Sequence, residues 1–265
     1  MNRTEILEDL RFYQQSGLIH GDELPVPGMG MDDFDRIAFG EFFEKHFGER
    51  LEEQEVPLEE LLQNMNLMKA GTFNIAAALL FGKHLDFKLP ICIIKAVCFP
   101  GDTFHETQYI DSRDISGKLT DQFQQSKGFV LANIHHIQGE QGVNSIGVPE
   151  IPTIALEELI TNALIHRDYF VSAPIRIFVF DNRVEIISPG HLPNNLSIEN
   201  IKRGNSNIRN PILASYATKL LPYRGLGSGI VRALRAHPHI DFEDDREGNL
   251  FKVTLWRKQH PRRQT

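Results

Sequence analysis

The second half of the chain opens with the apolar spacing of a helix and then changes to the spacing of strands. Residues 175–180 and 183–188 alternate between apolar and polar positions and predict two strands, and Asp181-Asn182 between them predicts a two-residue hairpin loop. Before them, apolar residues at intervals of three and four predict a helix that packs one face on a core, and these are Leu156, Leu159, Ile160, Ala163 and Leu164.

The other elements are predicted from the same two periods, with Gly and Pro as boundaries. This order of elements predicts an α+β fold, in which a C-terminal sandwich of a sheet covered by helices follows a smaller helical and α/β region. We expect further helices over 4–16, 34–47, 58–65, 114–134 and 211–221, another near Gly229, and strands over 91–99, 102–110, 240–244 and 250–256.

A cluster of Gly, Asn, Ser and Pro between Gly139 and Pro152 predicts a domain boundary. We therefore divide the chain into a helical arm over 1–65, a small α/β linker domain over 66–148, a C-terminal domain over 149–258 and a basic tail over 259–265.

The composition is that of an acidic globular protein. The chain has 265 residues, and 28 Lys and Arg against 35 Asp and Glu give 28 − 35 = −7, which disfavours nucleic-acid binding by the chain as a whole. A basic stretch from Arg257 to Arg263 leaves a local patch open, although such ends are commonly solvated tails. Because no apolar run is long enough to span a bilayer and no signal-peptide pattern is present, we expect a cytoplasmic protein without a membrane partner.

The helix that begins near Ala155 also carries Glu158, Asn162 and His166 at intervals of four, so the three side chains lie along one line of its surface. A carboxylate placed in this way can orient or deprotonate a water molecule, and an amide oxygen can bind a hard cation such as Mg²⁺. On spacing alone, an ordinary solvated helix face is the more frequent meaning of this pattern.

A glycine run, Gly225-Leu-Gly227-Ser-Gly229, follows some sixty residues later. Glycines let backbone N–H groups approach an anion closely, and a helix that starts near Gly229 would point its positive end at the same place. A Gly-x-Gly-x-Gly run by itself is more often a plain loop, so its position behind the polar helix matters.

In this order, the motifs resemble the GHKL nucleotide-binding fold. Within that group, residues 155–257 are most similar to the RecG-like C-terminal or divergent ATPase domain of bacterial transcriptional regulators. The matching segments are Glu158–Tyr169, Phe180–Pro193, Lys202–Pro211, Gly225–Gly229 and Phe251–Leu255, and residues 71–82 resemble the segment that precedes this domain.

The resemblance implies an ATP and Mg²⁺ site. Glu158 would be the general base for the attacking water, Asn162 the Mg²⁺ ligand, and His166 and Arg167 would lie near the phosphates. The glycines that would close over phosphate are Gly225, Gly227 and Gly229.

One segment departs from the GHKL pattern, in which an aspartate in an Asp-x-Gly-x-Gly box binds the adenine amine. Ser188 stands at the aspartate position, Gly190 keeps the first glycine, and Leu192 replaces the second. Serine brings no charge, and Thr254 on the closing strand is a weak replacement.

In the family, a Schlafen- or Alba-type DNA-binding domain usually comes first, and residues 16–27 resemble only the exit from it. The resemblance therefore implies a transcriptional regulator, or a fragment of one, that reaches DNA only through a domain missing from this chain. We expect nucleotide to order a lid over 193–224, with at most weak ATPase activity, and the sequence contains no phosphate loop of a helicase motor. Two alternatives stay open: a degenerate module for homodimerisation or other interactions that binds no nucleotide, and direct DNA binding through the basic tail.

Overall fold

The structure of the chain is a computed structural model that describes residue 13 and residues 17–105, 107–138, 147–193 and 196–257. Its described helices are α1 (Arg36–Phe47), α2 (Leu58–Asn64), α3 (Ile75–Phe81), α4 (Leu85–Lys88), α5 (Leu119–Ala132), α6 (Thr153–His166), α7 (Ile198–Lys202), α8 (Pro211–Leu220) and α9 (Gly229–Ala236). Its described strands are β1 (Met68–Lys69), β2 (Thr72–Phe73), β3 (Ile94–Cys98), β4 (Asp111–Ile115), β5 (His136–Ile137), β6 (Val148–Pro149), β7 (Ile175–Val179), β8 (Arg183–Pro189), β9 (Ile240–Asp245) and β10 (Leu250–Trp256).

A six-stranded mixed sheet organises the fold, with the strand order β4-β3-β7-β8-β10-β9. The pair β3–β7 is parallel and the other neighbours are antiparallel. Strands β3 and β4 come from the range predicted as a linker domain and the other four from the C-terminal range, so one sheet contains strands of both. The division at residue 148 stays a prediction.

Helices α5 and α6 cover one face of the sheet, where α5 contacts β3 and α6 contacts β8, and α9 packs beside α6. The residues that face these helices are apolar, and Ile177 and Val184 are completely buried. On the opposite face, charged residues pair across strands, as Lys95 does with Asp114. The alternation expected of a sheet covered on one side is therefore present, and the α+β sandwich is confirmed.

The first third of the chain packs against the second half rather than extending from it. Phe42 and Phe81 pack on the ring of Tyr216 in helix α8, with centroid distances of 5.3 and 6.1 Å, and the Tyr216 hydroxyl donates a hydrogen bond to the Met65 carbonyl at 3.0 Å. The buried carboxylate of Asp22 accepts a hydrogen bond from the amide of Leu213 in the first turn of α8, at 2.9 Å. One continuous apolar core therefore runs from Val26 to Leu255.

Most predicted elements are present within a few residues of their expected positions. The hairpin β7–β8, the helix α8 and the strands β9 and β10 are confirmed. The strand predicted over 102–110 is wrong, because the edge strand β4 begins at Asp111, and the predicted helix over 4–16 lies almost wholly outside the described residues. Within the described residues, no helix has both the length and the apolar character needed to cross a membrane.

Candidate active site

A cleft lies between helix α6, strands β8 and β10, and the segments 190–193 and 223–230. Both motifs predicted from the sequence meet there, because α9, which begins at the last glycine of the run, packs along α6. The predicted residues that line this cleft are Glu158, Asn162, His166, Ser188, Gly190, Gly225, Gly227 and Gly229.

Glu158 lies where the two helices meet. Its side chain is 7% exposed, and its Oε1 forms an ion pair with Nη2 of Arg232 in helix α9 at 2.5 Å. Burial raises the pKa of the Glu158 carboxyl, while the charge and hydrogen bond of Arg232 act in the opposite direction. The carboxylate that the resemblance makes a general base is therefore already held by a guanidinium.

A side chain at position 229 would have no room, because polar residues of α6 occupy the space beside Gly229. A Cβ atom at this position would lie 2.6 Å from Oε2 of Glu158 and 3.3 Å from Nδ2 of Asn162. Gly225 and Gly227 have φ of 66° and 69°, a backbone conformation that favours glycine. A Cβ atom at Gly227 would also collide with the carbonyl oxygen of Gly204, so the run packs directly against the preceding segment.

Asn162 is the candidate Mg²⁺ ligand. The described residues contain no group of three or more His, Cys, Asp or Glu side chains that could hold a metal by themselves. Mg²⁺ keeps several waters and is commonly held by one or two protein oxygens together with the phosphates of a nucleotide. The Asn162 amide fits a metal bound in that way, in which phosphate would supply the other ligands.

His166 lies two turns beyond Glu158, with its ring 6.3 Å from the ring of Tyr223. Desolvation, and next the charge of Arg209, lower the pKa of His166 to about 4. The imidazole is therefore neutral at pH 7, so it can donate one hydrogen bond to a ligand and accept another, but it contributes no positive charge.

The carboxyl end of α6 is fixed by the side chains of Arg209 and Asn210, in the segment that leads into α8. Arg209 donates to the carbonyls of His166 and His191 at 3.1 and 2.7 Å, and Asn210 donates to those of Ile165 and Arg167, both at 2.8 Å. These bonds satisfy carbonyls that a helix end leaves unpaired. They also fix the segment 190–191 against the end of α6.

Arginines give the cleft its charge, and the sequence analysis did not identify them. Arg209, Arg224 and Arg232 line the cleft against the single described carboxylate, Glu158. The lining of the cleft therefore contains more arginines than carboxylates, although the chain has a net charge of −7. The position of Arg224, directly before the glycine run, was the one signal in the sequence that pointed to this.

The structure does not bring Arg167 or Thr254 to the cleft. Arg167 is buried and donates to the carbonyls of Ile91 and Ala173 at 3.0 and 2.7 Å, so it ties two loops together. In strand β10 the side chains alternate between faces, and Val253 lines the cleft, so Thr254 faces the other side of the sheet. Neither of these two predicted ligand positions lines the cleft, and their roles in binding stay predictions.

Comparison with known proteins finds a family that matches part of the sequence and a crystal structure with a similar fold. Residues 172–255, less than half of the chain, match the family described as "Putative ATP-dependent DNA helicase recG C-terminal". The DIP2311 protein from Corynebacterium diphtheriae has a similar crystal structure, with a TM-score of 0.67 and 24% identity, covering 92% of this chain and 49% of that one. The chain thus spans about half of that protein, and at this identity the similarity shows the fold alone. No curated protein matches the chain. Residues 172–255 are therefore similar to the RecG C-terminal family, and the six-stranded sheet gives the chain a fold similar to that of the DIP2311 protein.

Proposed function

We propose that the cleft binds ATP or ADP with Mg²⁺ and that the nucleotide acts as a conformational switch. One observation carries this proposal: the glycine run that starts helix α9 faces Glu158 and Asn162 inside a cleft that contains three arginines. Backbone N–H groups at a helix start, together with guanidinium groups, are suited to phosphate.

Arg232 is the arginine best placed to respond to phosphate. Its Nη2 is bound to Glu158, but its buried Nε has no hydrogen-bond partner in the part of the chain that the structure describes. A guanidinium has five N–H donors, so it can contact a phosphate while it holds the carboxylate. The switch would act through the segment 196–224, which packs against the glycine run.

The same ion pair argues for binding with slow hydrolysis. The positive charge of Arg232 favours the ionised form of Glu158, so it makes this buried carboxylate a weaker base than it would be without the arginine, and the ion pair occupies the oxygen that would contact a water. We therefore propose at most a weak ATPase. The helicase named in the family description is not proposed for this chain, since its sequence contains no Gly-x-x-x-x-Gly-Lys-[Ser/Thr] phosphate loop.

We extend the proposal to the biological role that the sequence suggested. The chain would be the nucleotide-responsive part of a cytoplasmic transcriptional regulator and would reach DNA through a domain outside this chain. The net charge of −7 supports the proposal that another domain contacts DNA, because direct binding to duplex phosphates requires an excess of positive charge.

Titration calorimetry with ATP, ADP, AMP and adenosine, each with and without Mg²⁺, tests the proposal. We expect saturable binding that strengthens from adenosine to ATP, and a Mg²⁺-dependent gain that Asn162→Ala removes. The matched control is Asn64→Ala, which deletes an exposed amide at the end of α2, far along the chain from the cleft. Binding that is equal for adenosine and ATP, or absent for all four ligands, would contradict the proposal.

The alternative function, an interaction module without nucleotide, is favoured by a different observation. The polar groups of the motif satisfy one another: Glu158 binds Arg232, and the Ser188 hydroxyl donates to the Ala163 carbonyl at 3.2 Å. Analytical ultracentrifugation distinguishes the two hypotheses when it is combined with the titration. A stable dimer together with no nucleotide binding would support the interaction module.

A further inference from the structure

Apolar side chains form the floor of the cleft. This floor lies between helix α6 and the sheet, where β8 and β10 are paired in register and Ile186 stands opposite Val253. A flat, weakly polar ring could pack here with much of its surface removed from water. The apolar residues of this floor are Leu159, Ala163, Ile186, Phe251 and Val253.

Ser188 is the polar side chain that the strands contribute to this floor. It is 7% exposed, stands opposite Phe251 and donates its hydroxyl proton to the Ala163 carbonyl at 3.2 Å. A hydroxyl has one proton, so Ser188 can offer a ligand only its lone pairs. A neutral acceptor of this kind contributes less to binding than a carboxylate does.

The backbone of the adjoining turn is already used for internal hydrogen bonds. The amides of Gly190 and His191 donate to the backbone oxygen and the side-chain oxygen of Asn249, at 2.8 and 3.2 Å. The amide of Leu192 donates to the carboxylate of Asp244 at 2.6 Å. Three N–H groups that could otherwise contact the edge of a base are therefore committed to the protein.

Arg209 and the polar residues 205–207 near the floor are also committed or exposed. Arg209 uses its two terminal nitrogens on the carbonyls of His166 and His191. Residues 205–207 line the cleft but are exposed, so water competes for any hydrogen bond that they make to a ligand.

On the basis of the nucleotide binding proposed above, we propose that the cleft recognises the phosphates of its ligand and accepts different purine bases. Among the described residues of the floor, Ser188 alone can act as a buried side-chain acceptor, and its hydroxyl carries no charge. An apolar pocket discriminates weakly between ligands of similar shape, whereas a site whose groups hydrogen-bond the ligand discriminates strongly. ATP, GTP and ITP should therefore bind with dissociation constants within about tenfold of one another, a difference of about 1.4 kcal/mol.

Competition measurements with ATP, GTP and ITP, each with Mg²⁺, against one fluorescent nucleotide test this inference on the unmodified chain. Ratios within about tenfold support it, and ATP binding more than thirtyfold tighter than both other triphosphates would overturn it while leaving nucleotide binding intact. If none of the three binds, the proposed function itself fails, and the inference with it.

Substitutions at Ser188 sharpen the test. Ser188→Ala removes the one acceptor and should change the three dissociation constants by less than about threefold. Ser188→Asp places a carboxylate beside the floor and should raise the preference for ATP over GTP at least tenfold, because adenine presents an amine where guanine presents a carbonyl. A selective loss of ATP binding in Ser188→Ala would overturn the proposal. If Ser188→Asp does not fold, the ratios for the unmodified chain and for Ser188→Ala decide.

Discussion

The ion pair between Arg232 and Glu158 gives a prediction that joins the stability of the fold to the chemistry of the cleft. The substitution Arg232→Met removes the guanidinium and keeps most of the apolar stem. The two side chains are 23% and 7% exposed, so the pair lies between a surface pair and a fully buried one. Surface pairs contribute at most about 1 kcal/mol, and breaking a buried pair costs about 3–5 kcal/mol. We expect a loss of about 2 kcal/mol in the free energy of unfolding at pH 8, which lowers Tm by about 5 °C in a chain of this size.

The pH dependence of this loss identifies its cause. Below the raised pKa of Glu158 the carboxyl is protonated in the folded protein and needs no counter-charge, so the effect of Arg232→Met should shrink at low pH. As the pH rises through that pKa, Glu158 ionises against Arg232 in the unmodified chain, whereas in the variant it must keep its proton or become an unpaired buried charge, so the effect should grow. Thermal unfolding followed by circular dichroism at several pH values measures the loss of stability and its change with pH. Arg235→Met is the control, since Arg235 is an exposed arginine in the same helix. A loss equal to that of the control, or one independent of pH, would refute the reasoning.

Three other substitutions test the fold around the cleft. Gly229→Ala forces a Cβ atom to within 2.6 Å of a carboxylate oxygen and should lower the free energy of unfolding by about 1–3 kcal/mol. The control, Gly128→Ala, has no atom within 4 Å of its added Cβ and should be neutral or stabilising. Equal effects of the two substitutions in denaturant unfolding would contradict this prediction. Arg257→Met leaves the buried carboxylate of Glu150 without the ion pair at 2.8 Å and should cost about 3–5 kcal/mol in the same assay, and a loss below 1 kcal/mol would speak against a buried pair. Burial raises the pKa of Asp22 to about 6, above its unfolded value, so the folded protein binds more protons and the free energy of unfolding should fall as the pH rises from about 4 to 6. Asp22→Asn should flatten this part of the plot of unfolding free energy against pH. An unchanged slope would rule out Asp22 as its source.

The sequence predicted the elements that have strong periodicity and missed those that do not. The strands β7, β8 and β10 alternate clearly, and the structure places them within one residue of the prediction. Strand β4 reads Asp-Ser-Arg-Asp-Ile, which has no apolar alternation because an exposed edge strand is commonly charged. Helix α3 ends at Phe81, and a Cβ at the next residue, Gly82, would lie 2.7 Å from a methyl group of Leu85.

In the cleft, local patterns predicted several of the residues that line it, and tertiary packing decided how they pair. The stripe on α6 and the glycine run were visible in the sequence, but their contact at Gly229 depends on how α9 packs against α6. No local sequence pattern indicates the role of Arg232, because its partner Glu158 lies 74 positions (232 − 158) earlier in the chain. Thr254 does not line the cleft for a local reason: strand alternation puts Val253 and Thr254 on opposite faces of the sheet, and Val253 is on the cleft side.

Hydrogen exchange with and without ATP and Mg²⁺ tests the central claim most directly, because it locates binding as well as detecting it. We predict that saturating nucleotide slows exchange in peptides that cover residues 158–166 and 204–230, and leaves the β1–β2 hairpin and the exposed edge strand β4 unchanged. Adenosine at the same concentration should protect these peptides much less. Unchanged exchange in both peptides, or protection confined to regions outside the cleft, would contradict the account.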